Sequence, residues 1–361
     1  MKLLLVQPGA DFSIADINTG LAAAFERLGV ELVHYNLSGR LERSSSYLMH
    51  LWRKAKREGR TDLEPPSDAD VKYLASIGIL EKAMRFMPDW VFIVSSMYLH
   101  PDAVIMLRRA GLRIAILFTE APYDDKEQLR LAPYADVCWV NERSSVAKFR
   151  EVNPWTYYYQ HALDPDKHIR VATEYDVQPH DVVFVGTGFQ ERIDLLSAVD
   201  WTGIDLGLYG TWALMGSRSK LREHLRGGAI QNDVTAALYR KAKVGLNLHR
   251  TSMGWGKRAP QIEGAESIGP RCYELAATGC FFVSDYRSEL ADVFGAVVPT
   301  FGNAQECEEV IRYYLAHEDE RQAIAAQLPA LAAAHTFDAR AQEILRILEA
   351  QDELAGNPRP V

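Results

Sequence analysis

The chain has 361 residues, 48% hydrophobic and 24% charged, with 40 Lys+Arg against 48 Asp+Glu for a formal net charge of −8. That apolar content suits cores in two domains of ordinary size and excludes a disordered chain, while the net acidity argues against a protein whose main task is coating nucleic acid. No apolar run reaches membrane-spanning length, and the four cysteines (138, 272, 280 and 307) form no close-spaced pair, which argues for reduced cytoplasmic thiols rather than a zinc site or disulfide frame.

In chain order, short apolar runs alternate with helical patterns. Lys2 to Val6 reads as a first buried strand, too short for a signal peptide, and leads into the loop Gln7-Pro8-Gly9-Ala10. Gly20 to Leu28 has helical spacing and Val30 to Tyr35 reads as a second strand. Residues 40 to 60 carry Arg40, Arg43, Arg53, Lys54, Lys56, Arg57 and Arg60 against Glu42 and Glu58. Strands follow at Trp90 to Ser95, Arg113 to Thr119 and Val137 to Val140, with a helical stretch at Pro101 to Ala110. Residues 160 to 181 read as a link between domains. A second series then runs through Val182 to Val185, Asp205 to Tyr209, Val244 to Leu248 and Cys280 to Ser284. The Ala-rich stretch 323 to 334 reads as one plain helix, and Arg340 to Leu354 as a last helix. This β–α alternation predicts an α/β protein with parallel sheets covered by helices on both faces.

Residues 263 to 285, EGAESIGPRCYELAATGCFFVSD, concentrate the chemistry. Pro270 suits a first helical position, where its missing N–H is not needed, and Gly279 suits the helix exit. The free N–H groups at Gly269–Arg271 then form a ready phosphate site. Glu274 lies one turn in, on the side of Arg271, and Glu266 stands seven intervening residues before it.

This segment resembles the E-x7-E region of retaining GT-B glycosyltransferases, with YELAATGC in the place of an EAMACG-like helix. Gly227 to Asn247, with its L-Y-x-x-A helix, GLNLH at 245–249 and HTFDAR at 335–340 look like the CgeB-like, spore-maturation type. The likeness spans about residues 180 to 345 and is a matter of order and pattern before that. It implies two Rossmann-like doubly wound domains facing across a cleft: 1–165 for the acceptor, 166–338 for the donor, and a helix and tail, 339–361, crossing back to the first domain.

The implied activity is that of a metal-independent hexosyltransferase. It would move sugar from a UDP- or GDP-sugar donor to an acceptor hydroxyl without a cofactor, with retention of configuration if Glu266 is a true match, whereas inversion would need a carboxylate or histidine base from the first domain. The resemblance puts Glu274 on the ribose hydroxyls, unless it is a buried structural Glu paired with Arg271, and Glu266 on the donor sugar, where Glu263 three residues earlier could serve instead; it sets Gln231, in Gly228-Ala229-Ile230-Gln231, beside the base. Gly188 and Arg192, in and after Gly186-Thr187-Gly188, suit a β-phosphate, or else form a turn with a surface Arg. The loop at Gly9 either approaches the reacting phosphate or is a simple turn. His249, Lys257, Arg258 and Arg271 can offset diphosphate charge, unless the 257–258 loop is merely solvated. His100, with Glu120, Asp124 and Asp125 near strand ends of the first domain, is the candidate base; His161 reads as a packed histidine. The acceptor is left open among a glycan or lipid-linked glycan, a protein side chain and a modified DNA base. The basic stretch 40–60 and Arg218, Lys220, Arg222 and Arg226 keep the DNA version in play. A non-catalytic protein of the same fold and a sugar-nucleotide epimerase are the rivals from other classes.

Overall fold

The structure, a computed structural model, describes residues 1–8, 12–170 and 174–355. The chain divides into two units: Met1–Tyr159 together with the segment from Arg340 onward, and Gln160–Ala339. Each unit holds a six-stranded sheet in which every pairing is parallel.

The first sheet is built from β1 (Lys2–Val6), β2 (Glu31–Tyr35), β3 (Trp90–Val94), β4 (Ile114–Phe118), β5 (Val137–Val140) and β6 (Thr156–Tyr158), in the order β2-β1-β3-β4-β5-β6. Leu3–Val6 and all of β3, β4 and β5 are buried, as strands covered on both faces must be; hence their unbroken apolar runs. The helix Leu37–Arg57 follows β2, capped by Asn36, whose side chain accepts from the Gly39 N–H at 2.8 Å. A capping box of Ser67 and Asp70 starts the helix Asp68–Phe86, and these two helices pack together. The last helix, Phe337–Ala355, belongs from Arg340 on to this unit. Its Asp352 accepts from the Trp90 indole at 2.9 Å and pairs with Arg113.

The second sheet holds β7 (Val182–Val185), β8 (Leu206–Tyr209), β9 (Leu225–Gly227), β10 (Val244–Asn247), β11 (Phe282–Asp285) and β12 (Thr300–Phe301), in the order β12-β11-β10-β7-β8-β9. The chain builds β7, β8 and β9 toward one edge, then returns to lay β10, β11 and β12 toward the other. The strand order therefore reverses between β7 and β10, the place where doubly wound sheets bind ligands at their carboxyl ends.

Several sequence expectations need correction. The Ala-rich stretch is not one helix: Glu318–Ala325 ends and Leu328–Ala332 begins anew with Pro329 in its first turn, where a ring without an N–H is tolerated. The first helix starts at Phe12 rather than Gly20, and β11 starts at Phe282 rather than Cys280. Three short strands were not anticipated, namely β6, β9 and β12. The stretch read as a link carries the helix Pro165–His168. There, Leu163 exchanges hydrogen bonds with the far end of the unit, its N–H with His335 O (3.0 Å) and its carbonyl with Phe337 N–H (3.1 Å).

Gly210, just past β8, has φ +115, and a Cβ there would lie 2.1 Å from the Gly186 carbonyl oxygen. Any side chain meets both a left-handed backbone and a backbone clash. Gly210→Ala should destabilise the second unit by about 2 kcal/mol or more. Urea melts followed by tryptophan fluorescence should show one transition moved to lower urea.

Candidate functional site

The reversal point between β7 and β10 is spanned by Arg192, from the first turn of the helix Gln190–Ala198. Its Nη1 donates to Thr187 O at 2.9 Å, past β7, and its Nη2 to Leu248 O at 2.6 Å, past β10. The guanidinium lies over the rings of Phe184 and Phe189, with centroid distances of 5.5 and 5.4 Å. Planar donors of fixed geometry suit such a two-carbonyl clasp. Gly188 also has an internal reason to lack a side chain: a Cβ would sit 2.3 Å from the Trp212 indole. Both residues expected at a β-phosphate are thus engaged in holding the loops of their own unit.

After β10 comes His249. Its Nδ1 lies 2.7 Å from Asp285 Oδ1 at the end of β11, and its backbone N–H donates to the same carboxylate at 3.0 Å. Behind it, Asn247 Nδ2 donates to Ser284 Oγ at 2.8 Å. Burial would raise the Asp285 carboxyl, but His249 and its N–H, with Arg287 beyond, outweigh that and hold it below the ordinary carboxylate range. So a buried His249 pairs with a partly exposed Asp285 at the carboxyl edge of the sheet.

The loop from Arg250 to Ala265 is closed at its base. Arg287, buried before the helix Ser288–Phe294, donates to Ala265 O (2.6 Å) and Arg250 O (3.2 Å). Glu191 accepts from Thr251 N–H (3.0 Å), Ser252 N–H (3.1 Å) and the Ser252 hydroxyl. Above this base the two limbs pair, with Ile262 N–H to Thr251 O (2.7 Å) and Met253 N–H to Pro260 O (2.8 Å). The tip presents exposed Trp255, Lys257 and Arg258. Trp255 leans on Phe189 with ring centroids 5.1 Å apart, and Arg250 lies over the same Phe189 ring at 4.6 Å. The loop therefore stands beside the reversal point as a braced finger.

The helix Pro270–Ala277 begins after Gly269, with Pro at its start and no side-chain cap, as the sequence predicts. Glu274 is 4% exposed. Its Oε1 accepts from Asn232 Nδ2 at 2.9 Å and its Oε2 from Arg271 Nη1 at 2.6 Å, while Arg271 also reaches Asn232 Oδ1 at 2.9 Å. Burial would raise this carboxyl, but Arg271, with His168 and Asn232, holds it below its ordinary value. Glu274 stays ionised and ties this helix to Asn232–Lys241. Glu266 lies exposed in the segment before the helix, with its carbonyl receiving Glu289 N–H at 3.2 Å. The buried Glu289 carboxylate accepts from Ile268 N–H at 2.7 Å and Gln160 at 3.1 Å. Gln231 is exposed just before the helix Asn232–Lys241.

In the first unit, His100 caps the helix Pro101–Arg109, its Nδ1 accepting from Asp102 N–H at 3.3 Å, and packs edge-on against Tyr73. In that tautomer Nε2 carries the proton and is a donor rather than a base. Asp125 receives Ser145 Oγ (2.7 Å) and Lys148 Nζ (2.8 Å). Gly9 lies outside the described residues.

The structure thus gathers Gly188, Arg192, His249, Lys257, Arg258, Arg271, Glu274, Gln231 and Glu266 within one unit. Sequence reading missed Glu191, Arg287, Glu289, Asn232 and the Asp285 carboxylate. The single local signal for any of them was an acid in the first turn of a helix, at Glu191 and Glu289. Among the described residues there is no group of three or more His, Cys, Asp or Glu arranged to hold a metal ion.

Residues 192–346 match the family model described as "Glycosyl transferase-like". No curated protein sequence matches the chain. Its structure is similar to sucrose-phosphate synthase from Thermosynechococcus elongatus, at 11% identity over 98% of this chain and 99% of that one, with a TM-score of 0.67. Anabaena HepE in complex with UDP-glucose matches at 13% identity over 97% and 100%, with a TM-score of 0.62. UDP-GlcNAc 2-epimerase from Neisseria meningitidis, bound to UDP-GlcNAc, matches at 10% over 97% and 100%, with a TM-score of 0.55. At such identities the likeness is one of fold: the chain has the GT-B architecture of two doubly wound, Rossmann-like units.

Two predictions follow from these bonds. The folded Asp285 carboxyl titrates below its unfolded value, so its contribution is complete above the unfolded range and fades as pH falls through the folded one. Asp285→Asn should cost about 2 kcal/mol at pH 7, and the gap to wild type should narrow below about pH 5 in urea melts. Glu191→Ala should loosen the finger, so trypsin should cut at Lys257 and Arg258 several-fold faster, read by mass spectrometry, than in the parent.

Proposed function

We propose that the chain is a glycosyltransferase of the CgeB-like kind that takes a sugar from a UDP- or GDP-sugar and transfers it to an acceptor hydroxyl. The observation that carries this reading is a coincidence of place. The stretch matching the glycosyl transferase-like family supplies the finger, the His249–Asp285 pair and the uncapped helix at Gly269, all at the carboxyl edge of one parallel sheet. The UDP-sugars bound to structural neighbours support the donor class.

On this reading the donor contacts fall partly to other residues than the resemblance implies. Arg192 spends both Nη groups on carbonyls, so it lends field rather than a fork to the diphosphate. Lys257 and Arg258, exposed at the finger tip, and the N–H groups at the start of the helix Pro270–Ala277 take the phosphates. Their charge is in place before the departing diphosphate gains its own, which is where preorganised cations accelerate transfer. Glu274 meets the ribose hydroxyls through the lone pairs left on its two oxygens, with Arg271 and Asn232 fixing its orientation. Gln231 and its neighbours flank the base. Transfer breaks the bond between the anomeric carbon and the diphosphate oxygen and makes one to the acceptor oxygen, which gives up its proton. Glu266 against the donor sugar favours retention, and the capped imidazole of His100 is a poor base for inversion. The diphosphate is managed by these cations without a metal, and the acceptor is a glycan, lipid-linked glycan or protein hydroxyl.

A panel of UDP- and GDP-sugars, scored for released nucleotide and for calorimetric binding, tests this directly. The Lys257→Ala/Arg258→Ala pair should lower kcat/KM about a hundredfold with the melt unchanged, because both side chains are exposed. Glu274→Gln should weaken nucleotide binding at least about tenfold and, because it leaves Arg271 without its anion, also lower stability. A chain that neither binds nor cleaves any member of the panel is no glycosyltransferase. Interconversion of the sugar without transfer would make it an epimerase.

A further inference from the structure

The helix Leu37–Arg57 in the first unit has no part in the reading above. It carries Arg40, Arg43, Arg53, Lys54, Lys56 and Arg57 against Glu42 alone, in a chain whose net charge is −8. Cations in a last turn answer the helix dipole, Arg40 lies over the Tyr35 ring at 4.4 Å, and Lys56 donates to Thr61 O at 2.9 Å; Arg43, in the second turn, is explained by none of these. The outward face has a fixed composition. Arg43, Tyr47, Leu51 and Lys54 fall at spacings of four, four and three and so form one stripe. Tyr47 is 58% and Leu51 42% exposed, two apolar side chains displayed to water between two cations. Arg43 and Arg53 have no acidic partner among the described residues, and Lys54 has a solvent-screened one, Glu58 at 3.9 Å. The opposite face is packed: Leu37 and Ser44 are buried, and the Trp52 indole donates to Leu63 O at 3.2 Å.

We propose that this face of the helix Leu37–Arg57 docks on an anionic lipid surface, with Arg43 and Lys54 against lipid phosphates and Tyr47 and Leu51 entering the headgroup boundary. An interfacial helix joins a cationic face to a few exposed apolar side chains, and each cation near an anionic leaflet adds to the attraction. Duplex nucleic acid would match the cations but would meet Tyr47 and Leu51 with phosphates, so charge and apolarity together favour lipid. The proposal does not depend on glycosyl transfer.

Flotation with vesicles tests it. The protein should float with phosphatidylcholine vesicles containing phosphatidylglycerol and stay behind with phosphatidylcholine alone. Binding should be lost as salt rises from about 0.1 M to about 0.5 M. Arg43→Glu/Lys54→Glu should cut partitioning at least about tenfold, and Tyr47→Ser/Leu51→Ser several-fold, each with an unchanged circular dichroism melt. No vesicle binding, equal binding to neutral vesicles, or folded variants that bind like the parent would overturn it. Retention on duplex DNA that depends on Arg43 and Lys54, without flotation, would hand the face to nucleic acid instead.

Discussion

Arg192 ties together the two loops at which the strand order of the second unit reverses. Where the strand order reverses, neighbouring loops diverge and leave main-chain carbonyls without ladder partners. A half-buried cation that gives one Nη to Thr187 O and the other to Leu248 O reaches both at once. Desolvating a guanidinium is costly, and the carbonyl dipoles with the faces of Phe184 and Phe189 offset that cost. The same solution recurs along the edge: Arg287 clasps two carbonyls, Glu191 gathers two N–H groups, and Glu289 takes one more. Irregular backbone is fixed there by charged side chains from the starts of helices.

This division of labour separates residues that build the edge from residues that remain available to a ligand. Lys257, Arg258 and Trp255 stand exposed on a finger whose base is braced by Glu191 and Arg287. A flexible loop would lose entropy on ordering around a ligand; a braced one has already lost most of it. The His249–Asp285 pair and the Glu274–Arg271–Asn232 triad are likewise preset before any ligand arrives, so binding would not have to pay for their orientation.

Much of the architecture was legible in the sequence because doubly covered parallel strands have no polar face. The runs at Leu3–Val6, Trp90–Val94, Ile114–Phe118 and Val182–Val185 announce themselves. Pro270 and Gly279 mark the helix that carries Glu274, and the spacing of Arg271 and Glu274 implies their pairing. By contrast β6, β9 and β12 are edge or near-edge strands of two or three residues, too short for a periodicity to register. The bracing carboxylates were not legible as such: Asp285 meets His249 across 36 residues and Glu191 meets Thr251 across 60, separations at which no local pattern survives. Gly188 and Arg192 drew notice as phosphate ligands for the same reason, since nothing near them in the chain names Trp212 or Leu248 as their partners.

The stitch between Leu163 and the pair His335 and Phe337 brings the entry and exit of the second unit side by side. That unit is thereby an insertion between Tyr159 and Arg340 rather than a C-terminal half. A module whose two ends emerge together can be lifted out, replaced or reconnected at one seam with little loop-closure cost.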